Sequence, residues 1–577
     1  MAARKGSIKV ALEGRGPLVL RESDYVTSGG EGAIYRSGST IIKLYTDPAK
    51  MARDGMPDKI KLLAHLQHGG IVAPQGLALD ESQKPVGFYM PLSTGEPMSR
   101  VFVSDFRTRT GFGDRDAVSV AHSMYDIVNY AHLKQALLVD ANELNWLVTF
   151  SKGTPASATA IDVDSWAIGR WPATVIMPSI RDWKAKDFTT LTDWFAWGIV
   201  SFQVFTGIHP FKGKMDGYKP GALVERMKDN ASVFDKRARL PLSVRDFSCI
   251  PGPLLDWYQA TFQQGTRSAP PSPLDYSRPA KAAQIMRAVT TAASGALVFE
   301  KLFERAGDAA VRVWANGAVR LASGSVVDMA TGKTIQTGCS ADVEVVRAGD
   351  GWLVADVSEH LVQHFEHVSH TGLHTNLMLP LVIRKLFRAD ERLFAITDQE
   401  MAELEIRNLG KPVLTLGRRW SMMVKATTWL DDVAVSDVLG AAFVVLTHGD
   451  GVYQIRVPEL DGTNIVAGKA GGRFAAFTTL EKSGDYRKLE LTFDKSFTTY
   501  TPWTGPADGA ELNMGILPRG VVGTIVNDFE LAIVVPTTGV VNKVRDTGVS
   551  TAMKLAASGE KLVYILDGAV WQMRVGP

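Results

Sequence analysis

Three oxygen-bearing side chains stand at spacings that suit phosphoryl transfer to a hydroxyl group. Asp140 and Asn145 lie in Val139-Asp-Ala-Asn-Glu-Leu-Asn-Trp-Leu-Val148, which runs into an apolar stretch. Asp164 follows in Ile161-Asp-Val-Asp-Ser-Trp166. Phosphoryl transfer needs a carboxylate to accept the proton of the attacking hydroxyl, and hard oxygen ligands to hold Mg²⁺. The spacing therefore predicts Asp140 as the catalytic base and Asn145 and Asp164 as magnesium ligands.

A glycine-rich turn precedes an apolar stretch that contains a lysine. The turn holds Gly29, Gly30 and Gly32, and the stretch is Ile41-Ile-Lys-Leu-Tyr45. Glycine lets backbone N–H groups approach phosphate without a Cβ in the way, and a lysine in an apolar strand needs a partner. Each feature alone also fits a plain β-turn and an edge-strand lysine. Together they predict that the three glycines cover the phosphates of a nucleotide and that Lys43 binds them.

Further motifs follow in order along the chain: Gly87-Phe-Tyr-Met-Pro91, Asp140-Ala-Asn-Glu-Leu-Asn145, Asp164-Ser-Trp166 and Asp193-Trp-Phe-Ala-Trp-Gly198. With this set, residues 22–270 resemble the protein-kinase fold. They are most similar to the divergent bacterial kinase-like proteins associated with tellurite-resistance and phosphatase genes. The resemblance covers slightly under half of the chain.

The resemblance implies a bilobal α+β fold that uses ATP and Mg²⁺. It implies that Asp140 is the general base or substrate-orienting carboxylate and that Lys43 binds the α- and β-phosphates. The backbone near Met90 would contact adenine. Asp193 would be structural and would tie the catalytic loop to the large lobe, and His132 would end the helix before that loop.

The chain departs from the kinase pattern in ways that leave a second hypothesis open. Leu138-Val139 replaces the usual His-Arg, so no arginine is available there to pair with a phosphorylated activation loop. Trp166 replaces the glycine of the metal motif. The helix expected to supply a glutamate partner for Lys43 offers only Asp58, which is one methylene shorter. A pseudokinase that binds nucleotide without catalysis is therefore the alternative to an active enzyme.

The elements that would position these residues follow from the apolar spacing. Residues 18–46 predict short strands separated by glycine turns, whereas residues 57–68, 115–135 and 193–206 have helical spacing. A run of strands followed by a run of helices is expected of an α+β domain.

A proline-rich segment marks the end of this domain. Residues 265–280 have turn and linker chemistry, and one more helical stretch follows over 280–291. We therefore predict a kinase-like domain over residues 1–294. Its small lobe would span about 1–92 and its large lobe about 93–294.

Beyond residue 295, short β-rich runs recur, each ended by Gly, Asp or Asn, and after the last of them Asp567-Gly568 predicts a hairpin turn to a further strand. Seven of them begin at Val311, Trp352, Leu393, Phe443, Phe474, Leu531 and Leu562. The average step from 311 to 562 is about 42 residues, which is the blade period of a β-propeller. The steps are uneven and no signature motif recurs, so a pair of β-sandwiches or another all-β fold is the alternative. We predict an all-β domain over 295–577, a β-propeller of six or seven blades.

Five of the eleven histidines cluster in the predicted all-β domain, at His360, His364, His367, His370 and His374. On a helix they would share one face, whereas on a strand His367 would point away from the others. Imidazoles at such spacing can bind Zn²⁺ or other transition metals. A pH-sensitive surface and a solvated loop or blade edge are the alternatives.

Composition limits the partners and the compartment. The chain of 577 residues has 63 Lys and Arg against 61 Asp and Glu, which gives no electrostatic case for a nucleic-acid or membrane partner. Its only cysteines, Cys249 and Cys339, do not form a disulfide framework and favour a reducing compartment. The start has no apolar run of signal-peptide length, so we expect a cytoplasmic protein, in the host cytoplasm if it is viral.

The sequence as a whole predicts an atypical serine/threonine protein kinase. Its cofactors would be ATP and Mg²⁺, and the C-terminal β domain would dock a protein substrate or another binding partner. The alternatives are a pseudokinase scaffold and a structural assembly component. The sequence determines neither the identity of the partner nor the oligomeric state.

Overall fold

The computed structural model consists of an α+β N-terminal region and a large all-β C-terminal region. The predicted domain boundary and the predicted helix over 280–291 lie outside the described residues. In the part of the chain that the structure covers, no helix is both long enough and apolar enough to cross a bilayer. The described residues are 7–28, 31–103, 106–107, 110–151, 154–173, 176–219, 222–240, 244–277, 297–357, 363–481, 483–507, 509–527, 530–546 and 548–575.

A seven-stranded antiparallel sheet opens the N-terminal region, in the order β2-β1-β6-β7-β5-β4-β3. The glycine-rich segment lies between β3 and β4 in the sequence, and Lys43 is on β5, an interior strand between β7 and β4. This confirms the short strands predicted for residues 18–46. The strands are β1 (Ile8–Leu12), β2 (Gly16–Leu20), β3 (Tyr25–Ser28), β4 (Gly32–Ser37), β5 (Thr40–Tyr45), β6 (Gly76–Leu79) and β7 (Pro85–Pro91).

Seven α-helices are described in this region. The two longest, over residues 114–133 and 190–206, pack against each other. The helix α5 is apolar on almost every face and nearly all of its residues are buried, as expected of a helix inside a core. It begins after the N-cap Thr189, and it ends at Gly207, whose φ of +79° suits glycine. The helices are α1 (Pro48–Arg53), α2 (Met56–Leu63), α3 (Met98–Val101), α4 (Asp114–Leu133), α5 (Thr190–Thr206), α6 (Leu223–Lys228) and α7 (Gly252–Phe262).

Short strands connect these helices, and one hairpin matters for the candidate site. The strands β10 and β11 pair antiparallel, with Trp146 opposite Ala160. The helices α2, α4 and α5 confirm the three helical predictions. The strands are β8 (Glu96–Pro97), β9 (Ala136–Leu137), β10 (Trp146–Ser151), β11 (Thr154–Ala160), β12 (Ala167–Ile168), β13 (Lys214–Met215) and β14 (Ala238–Arg239).

The C-terminal region forms seven four-stranded antiparallel sheets over its described residues. We number them as sheets 1 to 7 in chain order. Six are built from consecutive strands, and sheet 7 has the order β15-β42-β41-β40. The first twelve strands after β15 are β16 (Ala310–Val313), β17 (Ala318–Leu321), β18 (Val326–Asp328), β19 (Thr334–Gln336), β20 (Glu344–Ala348), β21 (Gly351–Val357), β22 (Gln363–Ser369), β23 (His374–Leu377), β24 (Lys385–Ala389), β25 (Arg392–Ile396), β26 (Glu400–Asn408) and β27 (Pro412–Ser421).

The remaining strands complete sheets 4 to 7. They are β28 (Thr427–Trp429), β29 (Ala434–Val438), β30 (Ala441–His448), β31 (Gly451–Arg456), β32 (Asn464–Gly471), β33 (Phe474–Leu480), β34 (Tyr486–Phe493), β35 (Tyr500–Ala507), β36 (Met514–Ile516), β37 (Val522–Asn527), β38 (Glu530–Val535), β39 (Val540–Arg545), β40 (Lys554–Ser558), β41 (Lys561–Leu566) and β42 (Ala569–Val575), while β15 spans Leu297–Phe303.

Apolar clusters join each sheet of the C-terminal region to the next. Sheets 3 and 4, for example, share a cluster that contains Phe387, Phe394 and Val445. Another cluster joins sheet 7 to sheet 1 through Val563 and Val319. The seven sheets therefore follow one another around a closed circuit, and pairing of β15 with β42 completes the last sheet.

The predicted β-rich runs fall one in each of the seven sheets. The predicted hairpin at Asp567-Gly568 is also confirmed, because β41 and β42 pair with Leu566 opposite Ala569. Both turn residues have positive φ, 51° and 75°, which is the backbone that an Asp-Gly two-residue turn favours.

Gly87 is a sensitive position of the N-terminal sheet. It lies on β7 opposite Leu44, and a Cβ on it would stand 2.0 Å from the carbonyl oxygen of Lys43. We expect Gly87→Ala to lower the free energy of unfolding by about 1–3 kcal/mol, because the central backbone has to shift to admit the methyl group. Urea unfolding would measure the change. Gly69→Ala is the matched control, since no atom lies within 4 Å of its Cβ position, and equal stability of the two variants would contradict the prediction.

Candidate active site

The ammonium group of Lys43 is the centre of a buried charged cluster. Its Nζ lies 2.7 Å from Asp164 Oδ2, 3.1 Å from Asp162 Oδ1 and 3.8 Å from Glu31 Oε2. The hydroxyl of Tyr45 donates a 3.0 Å hydrogen bond to the same Asp164 oxygen. Burial lowers the pKa of Lys43, but Asp164 and Asp162 outweigh it and raise the pKa above its ordinary value. Lys43 therefore carries a positive charge in this cluster.

The partner of Lys43 differs from the prediction. Asp58 is not among the carboxylates that contact Lys43, so its prediction as the partner is wrong. The neighbouring Lys59 points inward from α2 instead and donates a 2.7 Å hydrogen bond to the backbone carbonyl of Asp164. A helical residue one position away from Asp58 faces a direction about 100° different, and the sequence alone does not determine which of the two faces inward.

A hydrogen bond from the Asn145 side chain to the Asp140 backbone holds these two residues together. The side-chain Nδ2 of Asn145 donates a 2.7 Å hydrogen bond to the carbonyl of Asp140, which leaves its amide oxygen as an acceptor. The Met177 amide donates to Asp140 Oδ1 at 2.8 Å. Burial raises the pKa of Asp140, although Asn142 and the Met177 amide oppose that effect. A carboxylate with a raised pKa accepts a proton more readily.

The β10–β11 hairpin brings Asn145 next to the Asp162–Asp164 segment. Asn145 immediately precedes β10, and the Ile161 amide, just after β11, donates to the Asn145 carbonyl at 2.9 Å. Two residues that are sixteen positions apart in sequence are therefore adjacent in space. Asn145 thus lies beside the segment whose Asp162 and Asp164 contact Lys43, and of these four residues the sequence predicted Lys43, Asn145 and Asp164.

Asp193 fixes the backbone just before Asp140. Its buried carboxylate accepts hydrogen bonds from the amides of Leu138, at 2.8 Å, and Val139, at 2.9 Å. It also lies 3.0 Å from His132 Nε2. Val139 has a φ of +60°, which is unfavourable for a β-branched residue and persists only where the surroundings enforce it. This placement matches the structural role predicted for Asp193.

The predicted nucleotide-covering residues are only partly described. Gly29 and Gly30 lie outside the described residues. Gly32 begins β4, and a Cβ on it would stand 2.4 Å from the Leu44 carbonyl oxygen, so close strand packing already requires glycine there. Met90 lies on β7 opposite Ile41, at the edge of the main apolar core.

Asp162 was not among the predicted site residues, although it stands two positions before Asp164. Its side chain is 43% exposed, whereas that of Asp164 is 2% exposed. The protein around this half-exposed carboxylate removes part of its hydration, and this desolvation together with the charge of Asp164 raises the pKa of Asp162 to about 6, against the lowering effect of Lys43. The repeated aspartate in Ile161-Asp-Val-Asp was the sequence signal that could have indicated Asp162. Which of the two carboxylates is exposed, however, depends on the tertiary structure.

The C-terminal sheets contact the segment that carries Asp140 and Asn145. Leu144 packs in one apolar cluster with Leu480 and Tyr486 of sheet 5. Lys212 donates a 3.2 Å hydrogen bond to the Gly484 carbonyl and lies 4.6 Å from the centre of the Tyr486 ring. The all-β region therefore packs directly against the loop of the candidate site.

The histidine cluster is on strands. His360 lies outside the described residues, while His364 and His367 lie on β22 and His374 begins β23. Glu366 contacts both His374, at 3.0 Å, and His364, at 3.5 Å. Within the described ranges, no group of three or more His, Cys, Asp or Glu side chains is placed to hold a metal ion, so the metal hypothesis for these histidines has no support from the structure.

Comparison with known proteins finds no family model that matches the chain and no curated protein similar to it.

Proposed function

We propose that this protein is an atypical serine/threonine kinase with a kinase-like N-terminal domain. The observation that carries the proposal is the contact of Lys43 with both carboxylates of Asp162-Val-Asp164, beside Asn145. Counted from the strand before the glycine turn, Lys43 lies on the third strand, which is where protein kinases carry the lysine that binds phosphates. Asp193 and its hydrogen bonds to the loop before Asp140 add support.

The donor set fits a magnesium nucleotide, with Asp162 as the better ligand. Both oxygens of Asp164 are at a buried position, and Oδ2 already accepts from Lys43 and Tyr45. Asp162 is half-exposed, and Asn145 keeps its amide oxygen available. Mg²⁺ usually takes one or two protein carboxylates together with phosphate oxygens and water. We therefore propose Asp162 and Asn145 as the ligands, while Asp164 holds Lys43 in place.

Each residue then has a defined part in the transfer. Bound Mg-ATP supplies the γ-phosphoryl group. Lys43 neutralises phosphate charge, and Asp140 accepts the proton of the substrate hydroxyl as its oxygen bonds to phosphorus and the bond to the bridging oxygen breaks. Because this chemistry depends on positioning and charge stabilisation, the backbone fixed by Asp193 contributes indirectly.

For the C-terminal region we propose a seven-bladed β-propeller that docks a protein substrate or partner. Seven four-stranded sheets joined by clusters from first to last support it, as does β15, which completes sheet 7 from the other end of the region. Closure of this kind leaves short, protected sheet edges, and it is typical of propellers.

The test is incubation of the full chain with Mg-ATP, followed by phosphosite mapping by mass spectrometry. Nucleotide-dependent thermal stabilisation together with new phosphosites would support the enzyme. Stabilisation without phosphosites would support the pseudokinase instead, and absence of both would refute nucleotide binding. The pseudokinase is the second candidate because α2 presents Lys59, and no glutamate, toward the Lys43 cluster.

The raised pKa of Asp162 predicts a pH dependence of magnesium binding. Above about pH 6 the carboxylate is ionised and free to bind Mg²⁺, whereas below it a proton competes. We expect the Mg²⁺-dependent part of nucleotide affinity to be constant above about pH 7 and to fall roughly tenfold per pH unit below about pH 5.5.

Isothermal titration at several pH values would measure this dependence. The phosphate of ATP also titrates near pH 6, so the informative quantity is the difference between the wild type and Asp162→Asn. Parallel pH profiles of the two proteins would show that Asp162 is not the ligand.

A further inference from the structure

A cavity of about 1630 Å³ lies between the N-terminal region and the C-terminal sheets. Its walls include Arg100 and Ser119 on one side, and Arg312, Arg320 and Lys469 on the other. Neither Lys43 nor Asp140 lines it. The cavity is therefore separate from the candidate active site, and it is larger than the roughly 300–1,000 Å³ of an ordinary small-molecule pocket.

Two arginines face each other where sheets 1 and 2 meet this cavity. Arg312 on β16 and Arg320 on β17 are directly opposite in the antiparallel register, so their side chains lie on the same face of the sheet. Like charges in directly opposed positions destabilise a sheet unless something neutralises them. Glu344 does so for Arg312, at 2.8 Å from its Nη2.

Arg320 has no such partner among the described residues. Its side chain is buried, with the residue 8% exposed, and Nε donates a 3.0 Å hydrogen bond to the Ser340 carbonyl. Across the described part of the chain, no acceptor lies within hydrogen-bond distance of its two terminal nitrogens, and neither nitrogen is sealed from solvent. Asp342 and Asp356 are close enough to influence Arg320, but neither forms an ion pair with it. Burial lowers the pKa of Arg320, and Arg312 lowers it further.

The other guanidinium groups near Arg320 are paired with carboxylates. Arg388 contacts Glu344, at 3.5 Å, and Asp432, at 3.1 Å. Arg312 and Arg388 therefore share Glu344, and Arg388 also pairs with Asp432, while no ion pair between described residues joins Arg320 to either carboxylate. A guanidinium stays charged in proteins, and among the described residues the two terminal nitrogens of Arg320 have no acceptor, although Asp342 and Asp356 lie near enough to influence the group.

We propose that Arg320, with Arg312 beside it, binds the phosphate group of a small phosphorylated molecule in this cavity through its two terminal nitrogens. A planar guanidinium matches the oxygens of a phosphate with two parallel hydrogen bonds, which explains why unused terminal nitrogens suit this ligand. The rest of the cavity has room for the organic part of the molecule. The inference does not depend on the proposed kinase function, because it uses none of the same residues.

Binding of inorganic phosphate to the full chain tests the proposal. Isothermal titration at constant ionic strength would compare the wild type, Arg320→Gln and Arg384→Gln. Arg384 lines the same cavity, but both its Nε and Nη2 are paired with Asp398, at 3.1 and 2.9 Å, so it is a matched control. We expect saturable binding in the wild type and in Arg384→Gln, and binding at least about tenfold weaker in Arg320→Gln.

Several outcomes would overturn the proposal: no saturable binding to the wild type, equal binding to Arg320→Gln, or equal loss in Arg384→Gln. Titration with acetate at the same ionic strength tests whether the site binds a carboxylate as well. Equally tight binding of acetate would exclude phosphate as the preferred ligand. Arg320→Gln should keep the fold, since it removes one of two opposed like charges. If circular dichroism shows that it does not, Arg320→Lys keeps the charge without the planar fork, and phosphate binding as tight as in the wild type would then refute the proposal.

Discussion

Replacing Asp164 with alanine is expected to lower the free energy of unfolding by about 3 kcal/mol, the lower end of the range for breaking a buried ion pair. The change removes the acceptor of Lys43 Nζ at 2.7 Å and of the Tyr45 hydroxyl at 3.0 Å. Lys43 is buried, so it would lose its closest partner without gaining access to water. Asp162 and Glu31 still face the ammonium group, and they limit the loss.

Asp162→Asn is the matched control for this prediction, because Asp162 has a φ of 57°, a left-handed conformation that asparagine tolerates better than alanine. It removes a carboxylate that contacts the same ammonium group at 3.1 Å, but its side chain is 43% exposed. We expect a loss below about 1 kcal/mol, as for other solvent-exposed ion pairs. Urea unfolding would measure both variants, with the slope of the transition checked for constancy. Equal stability losses in the two variants would show that Asp164 is not the structural partner of Lys43.

The second large effect is expected on turnover. Asp140→Ala and Asp140→Asn should each lower phosphotransfer by roughly 10²–10⁴-fold, the usual effect of losing a general base. The asparagine variant is the sharper test, because its amide oxygen can still accept the hydrogen bond that the Met177 amide donates to Asp140. Nucleotide affinity should stay close to that of the wild type, since Lys43, Asn145 and Asp162 are unchanged.

Radiolabelled ATP with the full chain and a generic protein substrate would measure this effect. Asp187→Ala replaces an exposed aspartate that is not among the residues proposed for the site, and it serves as the control for handling and folding. Labelling of Asp140→Asn at the wild-type rate would remove Asp140 from the role of base. A parallel fall in nucleotide affinity would show that the loss arises from binding.

Local features of the sequence determined much of the fold. Helical apolar spacing predicted α4 and α5 within a few residues, and Asp567-Gly568 predicted its hairpin, because periodicity and turn chemistry act over short stretches of chain. Seven β-rich runs fall one in each of the seven sheets for the same reason, although the sequence predicted six or seven blades. The order of Lys43, Asp140, Asn145 and Asp164 along the chain is likewise a property of the sequence itself.

Tertiary structure alone decided which charged groups meet and which reach solvent. Lys43 pairs with Asp164, Asp162 and Glu31. The two aspartates contact Lys43 because β5 and the segment after β11 pack together, and no local sequence pattern predicts a contact between segments so far apart in the chain. Pairing of β15 with β42, and of Glu344 with Arg312 but not with Arg320, depends on the same long-range packing. Side-chain spacing thus determined the elements and the candidate chemistry, while burial, which is a property of the whole folded chain, determined the role of each carboxylate and guanidinium.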